Sequence, residues 1–281
     1  MKYVFFGTPR FAEIILGTLI DADMAPVALV CNPDRPLGRK KIVTSPPTKT
    51  LIAERKRSVP VFQPEKLDDA FIGQLRALQP DFFVVAAYAK IIPGNVLAIP
   101  RFGTLGTHPS LLPAYRGASP IQTVILVGES KTGSTIYQMD EKMDHGPIFA
   151  QEEVLFNALT TDYLSLEKQL AELSAHILIK TIPVLLSGTT APRMQDESGA
   201  SFTKKFTTEN GFIEYSEIDA AIAGNSDKTE LIVRTIHALN PEPGAWTLKG
   251  GKRIKLIEAC MDNDALKLLT IQEEGQRAKK I

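Results

Sequence analysis

Apolar positions in the first half of the chain come in short unbroken runs separated by helical spacing. Residues 3–6 form one such run, which stops at Gly7-Thr8-Pro9, and Phe11, Ile14, Ile15, Leu19 and Ile20 then repeat at helical intervals. A second run, 27–31, lies between Pro26 and Asn32-Pro33. A continuous apolar strand, an amphipathic helix and another continuous strand make a βαβ unit, because strands of a parallel sheet are buried on both faces. The pattern returns as a helix over 67–78 and a strand over 82–87. Further strands are expected at 103–108 and 135–139, ending in a proline-rich loop and in Asp140. Residues 163–186 carry leucines and isoleucines at helical spacing, enough for one long helix or two.

The pattern changes near Ser187. Residues 188–210 are rich in Thr, Ser, Gly and charge without either period, and read as a linker. Beyond it come a helix over 230–238 and three short apolar runs, 246–248, 253–258 and 266–271, parted by Gly250-Gly251 and Asp262-Asn263-Asp264. Such runs between tight turns predict a small β-domain. The expected organisation is a catalytic domain at 1–187, a linker at 188–210 and a C-terminal domain at 211–281.

Composition adds mostly exclusions. With 281 residues the chain has room for two cores. Lys plus Arg and Asp plus Glu both number 32, so any nucleic-acid contact has to come from a local basic patch. Two cysteines, Cys31 and Cys260, make neither a disulfide framework nor a cysteine-rich zinc site. No ligand cluster for a metal stands out. Gly7 and Pro9 interrupt the N-terminal apolar run, which therefore reads as a strand rather than a leader or span. A cytoplasmic protein without membrane association is expected.

The chemistry concentrates at 107–121, Thr-His-Pro-Ser-Leu-Leu-Pro-Ala-Tyr-Arg-Gly-Ala-Ser-Pro-Ile. His108 closes a strand, where ligands of open α/β sheets bind. Ser110, Leu111, Leu112 and Pro113 form an apolar turn whose free backbone groups suit the edges of a flat ring. Residues 139–148, Met-Asp-Glu-Lys-Met-Asp-His-Gly-Pro-Ile, supply a second loop with carboxylates that can pair with His108 as acid and base. Alone, these residues define an α/β enzyme with a cleft near His108. The N-terminal βαβ unit is not a dinucleotide site, because Phe6-Gly7-Thr8-Pro9-Arg10-Phe11 lacks the second and third glycines.

The run His-Pro-Ser-Leu-Leu-Pro-x-x-Arg-Gly-x-x-Pro-Ile resembles the formyltransferase family that uses 10-formyltetrahydrofolate. So do Thr132-Gly133, Asp144-x-Gly146-Pro147-Ile148, the start at 6–12, and Ala86-Ala87-Tyr88-x-x-Ile91-Ile92-Pro93. Residues 32–39, 60–64 and 240–246 are similar to its methionyl-tRNA branch. The resemblance implies a Rossmann-like N-terminal domain and a small OB-like C-terminal barrel, here shortened after Glu258-Ala259 and lacking the family's usual tail. It implies formyl transfer to the α-amino group of methionyl initiator tRNA in translation initiation. His108 and Asp144 would be catalytic, and Ser110–Pro113, Tyr88, Ile91, Asp140 and Met143 would hold the folate. No metal is expected.

The same resemblance marks a departure. The family places an asparagine two residues before the histidine as an oxyanion donor, and this chain has Gly106 there. Thr107 would point to the other face of the strand. Three readings follow: reduced turnover, a water or another donor in the gap at Gly106, or binding without catalysis.

Residues 35–53 hold Arg35, Arg39, Lys40, Lys41 and Lys49 and no acidic residue, in a stretch that Pro36, Gly38, Pro46 and Pro47 mark as a long irregular loop. The resemblance assigns this loop to the tRNA acceptor end, with Lys204, Lys205 and the basic residues at 249–255 extending the track. An amino sugar nucleotide formyltransferase would need neither feature and is the rival enzyme. A folate- or RNA-binding relative is the rival non-enzyme. A monomer suits a protein that wraps an acceptor stem.

Overall fold

The structure is a computed structural model of all 281 residues, described here except at Arg39, Arg57 and Thr190. The chain runs β1 (Tyr3–Gly7), α1 (Arg10–Asp21), β2 (Ala28–Val30), β3 (Arg35–Leu37), β4 (Ile42–Thr44), α2 (Pro47–Glu54) and β5 (Val61–Phe62). It continues with α3 (Asp69–Ala77), β6 (Phe82–Ala86), α4 (Gly94–Leu97), β7 (Thr104–His108), β8 (Arg116–Gly117) and α5 (Pro120–Val127). Next come β9 (Lys131–Gln138), β10 (Ile148–Leu155), α6 (Tyr163–Ser187), β11 (Phe202–Thr203), α7 (Tyr215–Ile222) and α8 (Thr229–Leu239). Strands β12 (Ala245–Lys249), β13 (Lys252–Asp262), β14 (Ala265–Glu273) and β15 (Lys279–Lys280) complete it.

The main sheet has the order β10-β9-β7-β6-β1-β2-β5. Strands β5, β2, β1, β6 and β7 are parallel neighbours, which is the Rossmann-like arrangement the apolar runs predict. Every residue of β1 and β6 is buried, as a doubly covered sheet requires. Tyr3 stacks on Phe82 and Phe6 packs on Phe83 across the β1–β6 pair. The chain leaves β1 for β2 on one side and returns to β6 on the other, so the switch point lies between β1 and β6. Strand β9 runs antiparallel to β7, with Leu105 opposite Gln138, Gly106 opposite Tyr137 and His108 opposite Thr135.

The chain forms two compact units that do not follow chain order. One holds Met1–Arg116, Gly133–Glu153 and Lys168–Ser201, and the other Gly117–Thr132, Val154–Glu167 and Phe202–Ile281. The second contains the antiparallel sheet β12-β13-β14-β15 over a core of Ile213, Ile218, Ile232, Val233, Ile236 and Leu256. The C-terminal β-domain is therefore present as an open four-stranded sheet; among the described residues β12 and β15 are its two edges and no barrel closes. Phe212 bridges to Trp246 beside β12, which partly covers that edge. Trp246 packs against Phe212, lies under the Arg253 guanidinium and donates its indole N–H to Thr208, a packed role consistent with core rather than stacking platform.

Two expectations change, and a third alternative resolves to one of its two forms. Residues 35–53 are not an irregular loop: β3 and β4 pair as a hairpin, and Pro47 starts α2, where a missing N–H costs nothing. The region 188–210 is not bare linker, since it contains single-turn helices at Glu197–Gly199 and Thr208–Gly211 and the strand β11. Residues 163–187 are one helix of 25 residues with Pro183 inside it. Among the described residues it alone is long and apolar enough to cross a membrane, and half of that window is buried.

Candidate active site

Strand β7 reads Thr-Leu-Gly-Thr-His and is buried throughout, so its polar side chains must find partners. Thr104 Oγ1 donates to the Leu97 carbonyl and Thr107 Oγ1 to the Val85 carbonyl. Thr107 is thus turned away from position 106, as alternation along a regular strand demands. The register through Val85, Gly106 and Tyr137 is unbroken, so Gly106 marks no bulge.

His108 is 5% exposed, and its Nε2 lies 2.8 Å from the Tyr115 carbonyl. A carbonyl only accepts, so Nε2 carries the proton and Nδ1 is left facing the Asp144 carboxylate, 3.6 Å from Oδ2. That distance is too long for a direct hydrogen bond. The Tyr115 carbonyl holds the ring at Nε2, and Asp144 faces its other nitrogen at ion-pair distance. An imidazole nitrogen and a carboxylate can both accept, so the gap between them suits a group that brings protons, such as an amine.

Asp144 has φ +50° and accepts at Oδ1 from the Tyr137 hydroxyl, 2.8 Å away. It does not arrive from a strand end beside that of β7. Because β9 is antiparallel, its last residues lie against the beginning of β7, and the following loop folds back across the sheet face. Gly146 permits this, since a Cβ there would stand 1.7 Å from the Gln138 carbonyl oxygen. Gln195 then pins the loop, its Nε2 donating to the carbonyls of Asp144 (2.9 Å) and Gly146 (2.8 Å). Gln195 Oε1 in turn accepts from the buried Arg116 guanidinium, which also meets both carboxylate oxygens of Glu197. These hydrogen bonds hold the Glu197 carboxyl below the usual range.

Other expected positions distribute as follows. Leu111 packs over Gly133, and Leu112 is buried with Tyr137 and Ile148. The turn's backbone is largely engaged, which corrects the expectation of free groups. Ser110 C=O and Leu112 N–H both meet Thr135 Oγ1, Leu112 C=O accepts from Gln151, and Pro113 C=O accepts from Ser201. Ser110 Oγ is spent on the Ala114 carbonyl. Tyr88 lies edge-on to Phe6, its buried hydroxyl has no hydrogen-bond partner among the described residues, and burial pushes its pKa up to about 12. Ile91 and Met143 are exposed. Asp140 is half-exposed and accepts from Lys142 N–H while its Oδ2 lies 2.6 Å from His145 Nδ1. A hollow of about 540 Å³ opens beside this loop, lined by Gly94, Leu97, Phe102, Met139, Asp140 and Glu141 among others. Among the described residues no group of three or more His, Cys, Asp or Glu could hold a metal.

Sequence reasoning missed Tyr115, Tyr137, Gln195 and Glu197 as members of this site. No local signal marks them: each acts through a partner that only the fold brings near.

On the basic stretch, Arg35, Lys40 and Lys41 are exposed on the hairpin, together with Leu37, Ile42 and Val43. Lys205 is exposed in its own unit, and Arg39 lies outside the described residues. Lys49 is not part of a free patch, because its ammonium pairs with both Asp34 oxygens and with Gln63.

The fold and this face define an α/β protein built for acid–base work on a ligand lying over β7 and β9. The family description "Formyl transferase" matches residues 1–182, and "Formyl transferase, C-terminal domain" matches residues 216–275. The chain belongs to the formyltransferase family. Methionyl-tRNA formyltransferase of Bacillus licheniformis is 35% identical over 280 residues, covering 98% of this chain and 84% of its own. That of Halorhodospira halophila is 38% identical over 258 residues, covering 92% and 79%. Among solved structures, HypX from Aquifex aeolicus in complex with tetrahydrofolic acid aligns with a TM-score of 0.69 at 16% identity. That alignment covers 100% of this chain, which spans only 46% of the HypX chain. Methionyl-tRNA formyltransferase from Clostridium thermocellum aligns with a TM-score of 0.61 at 17% identity, over 97% of this chain and 99% of its own. These structural likenesses speak for the fold alone.

Proposed function

We propose that the chain transfers the formyl group of 10-formyltetrahydrofolate to the α-amino group of methionyl initiator tRNA. The observation that carries this reading is the juxtaposition of His108 Nδ1 and Asp144 Oδ2 across 3.6 Å, in a chain 35% identical over 280 residues to a methionyl-tRNA formyltransferase. Folate binding and catalysis belong to the unit holding Met1–Arg116, Gly133–Glu153 and Lys168–Ser201, and tRNA binding to residues 211–281.

In the reaction the amine enters between His108 and Asp144 and attacks the formyl carbon. Asp144 takes the amine's proton, and His108 Nδ1 accepts a hydrogen bond from the nitrogen as positive charge develops on it. Its Nε2 bond to Tyr115 keeps the ring oriented without using Nδ1. The folate lies against the turn at 110–113 and the loop that carries Asp140 and Asp144. Ser110–Pro113, Tyr88, Ile91, Asp140 and Met143 border that ligand. Arg35, Arg39, Lys40, Lys41 and Lys205 contact tRNA phosphates. The protein acts as a cytoplasmic monomer without metal or membrane.

The test is transfer from isotopically labelled 10-formyltetrahydrofolate, offered charged initiator tRNA and an amino sugar nucleotide in parallel. Label on the tRNA alone is expected. Label on the sugar alone would replace this acceptor, and folate binding with no labelled product would leave a binding protein.

A further inference from the structure

Gly106 faces a space that is already filled. A Cβ built there would lie 2.5 and 2.6 Å from ring carbons of Tyr137 and 2.9 Å from Met139 Cγ. Positions 106 and 137 are directly opposed in the β7–β9 ladder and share a face. The Tyr137 ring therefore occupies the volume that any side chain at 106 would need. Tyr137 is 4% exposed, and its hydroxyl reaches Asp144 at 2.8 Å, at the same junction that holds His108 Nδ1.

We infer that the Tyr137 hydroxyl is the donor of this active site in place of a side chain at 106, serving Asp144 first and the reacting oxygen afterwards. The inference rests on the formyl-transfer reading above. With Asp144 ionised, the phenol proton is directed to its Oδ1. When the amine nitrogen bonds to the formyl carbon, the carbonyl electron pair moves onto oxygen and the amine proton passes to Asp144. A protonated Asp144 no longer demands the phenol's hydrogen bond, which turns to the new oxyanion. Collapse restores the carbonyl, breaks the bond from carbon to N10, and returns the Asp144 proton to N10. The phenol stays neutral throughout. Burial, with the Asp144 charge beside it, raises its pKa well above the ordinary value, so it donates a hydrogen bond without losing its proton.

An asparagine at 106 alone is therefore expected to restore no donor, because its Cβ would collide with the tyrosine ring. The two positions are alternatives for one volume.

The experiment compares steady-state transfer to charged initiator tRNA by wild type, Tyr137→Phe, Tyr137→Leu and the double variant Gly106→Asn/Tyr137→Leu, with melting temperatures alongside. Tyr137→Phe keeps the ring and should lower kcat roughly a hundred- to thousand-fold, the usual cost of one oxyanion donor, with the folate KM unchanged. The double variant should regain at least about tenfold over Tyr137→Leu, as a second donor geometry in the same space would allow. A Tyr137→Phe kcat within a few-fold of wild type, or no regain in the double variant, overturns the inference alone. A wild-type chain that forms no formylated tRNA removes the functional reading and this inference with it.

Discussion

The face of β7 and β9 and the β3–β4 hairpin both gather polar residues, and the protein treats them in opposite ways. Around His108 the polar groups are mostly buried or half-buried and paired. Tyr115 takes Nε2, Tyr137 takes Asp144 Oδ1, and Gln195 and Arg116 tie down the loop that carries Asp144. On the hairpin, Arg35, Lys40 and Lys41 stand in solvent beside exposed Leu37, Ile42 and Val43. Buried polar groups cost free energy unless paired, so the first region must be determined by folding itself. Exposed lysines cost nothing unpaired, so the second can wait for a partner. Lys49 shows the boundary, since it is drawn out of the basic stretch by Asp34 and Gln63. Catalysis needs preorganisation and phosphate binding needs free charge, and the two regions divide along that line.

Breaking the first region should have the largest consequences. Asp144→Asn keeps the size of the side chain but removes the proton acceptor, and should slow transfer by about a hundred- to ten-thousand-fold. Single-turnover rates at saturating folate check this, and a loss under tenfold would separate Asp144 from proton transfer. Gly146→Ala comes next. Its Cβ would meet the Gln138 carbonyl oxygen at 1.7 Å, so the loop must move. A stability loss of about 1–3 kcal/mol by urea unfolding is expected, with weakened transfer; unaltered stability would mean the loop has another way over the sheet.

The second region should respond only through binding. Lys40→Ala with Lys41→Ala should leave kcat unchanged and weaken tRNA binding, lowering the slope of log affinity against log salt by about two, one for each phosphate no longer neutralised. An unchanged slope would remove the hairpin from the interface. The smallest effect belongs to Glu197, whose carboxyl Arg116 holds below its usual range. A depressed folded value means that its contribution is complete above the ordinary glutamate value of about 4.3 and disappears as pH falls through the folded one. Glu197→Gln should therefore flatten the acid side of the melting-temperature profile while changing little at neutral pH.

Sequence legibility followed the same division. The apolar runs at 3–6 and 82–87 marked β1 and β6 because a sheet covered on both faces has no polar alternation to obscure it. His108 and Asp144 were legible through the motifs around them. Helix α5 was not, since Pro-Ile-Gln-Thr-Val-Ile-Leu-Val is apolar on nearly every side and carries no period. Strand β10 was missed because Gln151-Glu152-Glu153 interrupts its apolar positions. Tyr137 lies in a run, 135–139, that read only as a strand. Only the antiparallel register of β9 sets it opposite Gly106 and sends the Asp144 loop back over the face. Gln195 sat in what read as linker, and its role depends on a partner 51 residues away along the chain.

The central claim is that the His108–Asp144 face moves a formyl group onto the amine of charged initiator tRNA. Its most direct test is the amount of N-formylmethionyl-tRNA formed in one turnover by wild type and by His108→Ala, at equal folate occupancy. The account predicts full conversion by wild type and a rate lower by about a hundredfold or more in the variant. Equal rates, or folate bound with no formylated tRNA from wild type, would contradict it.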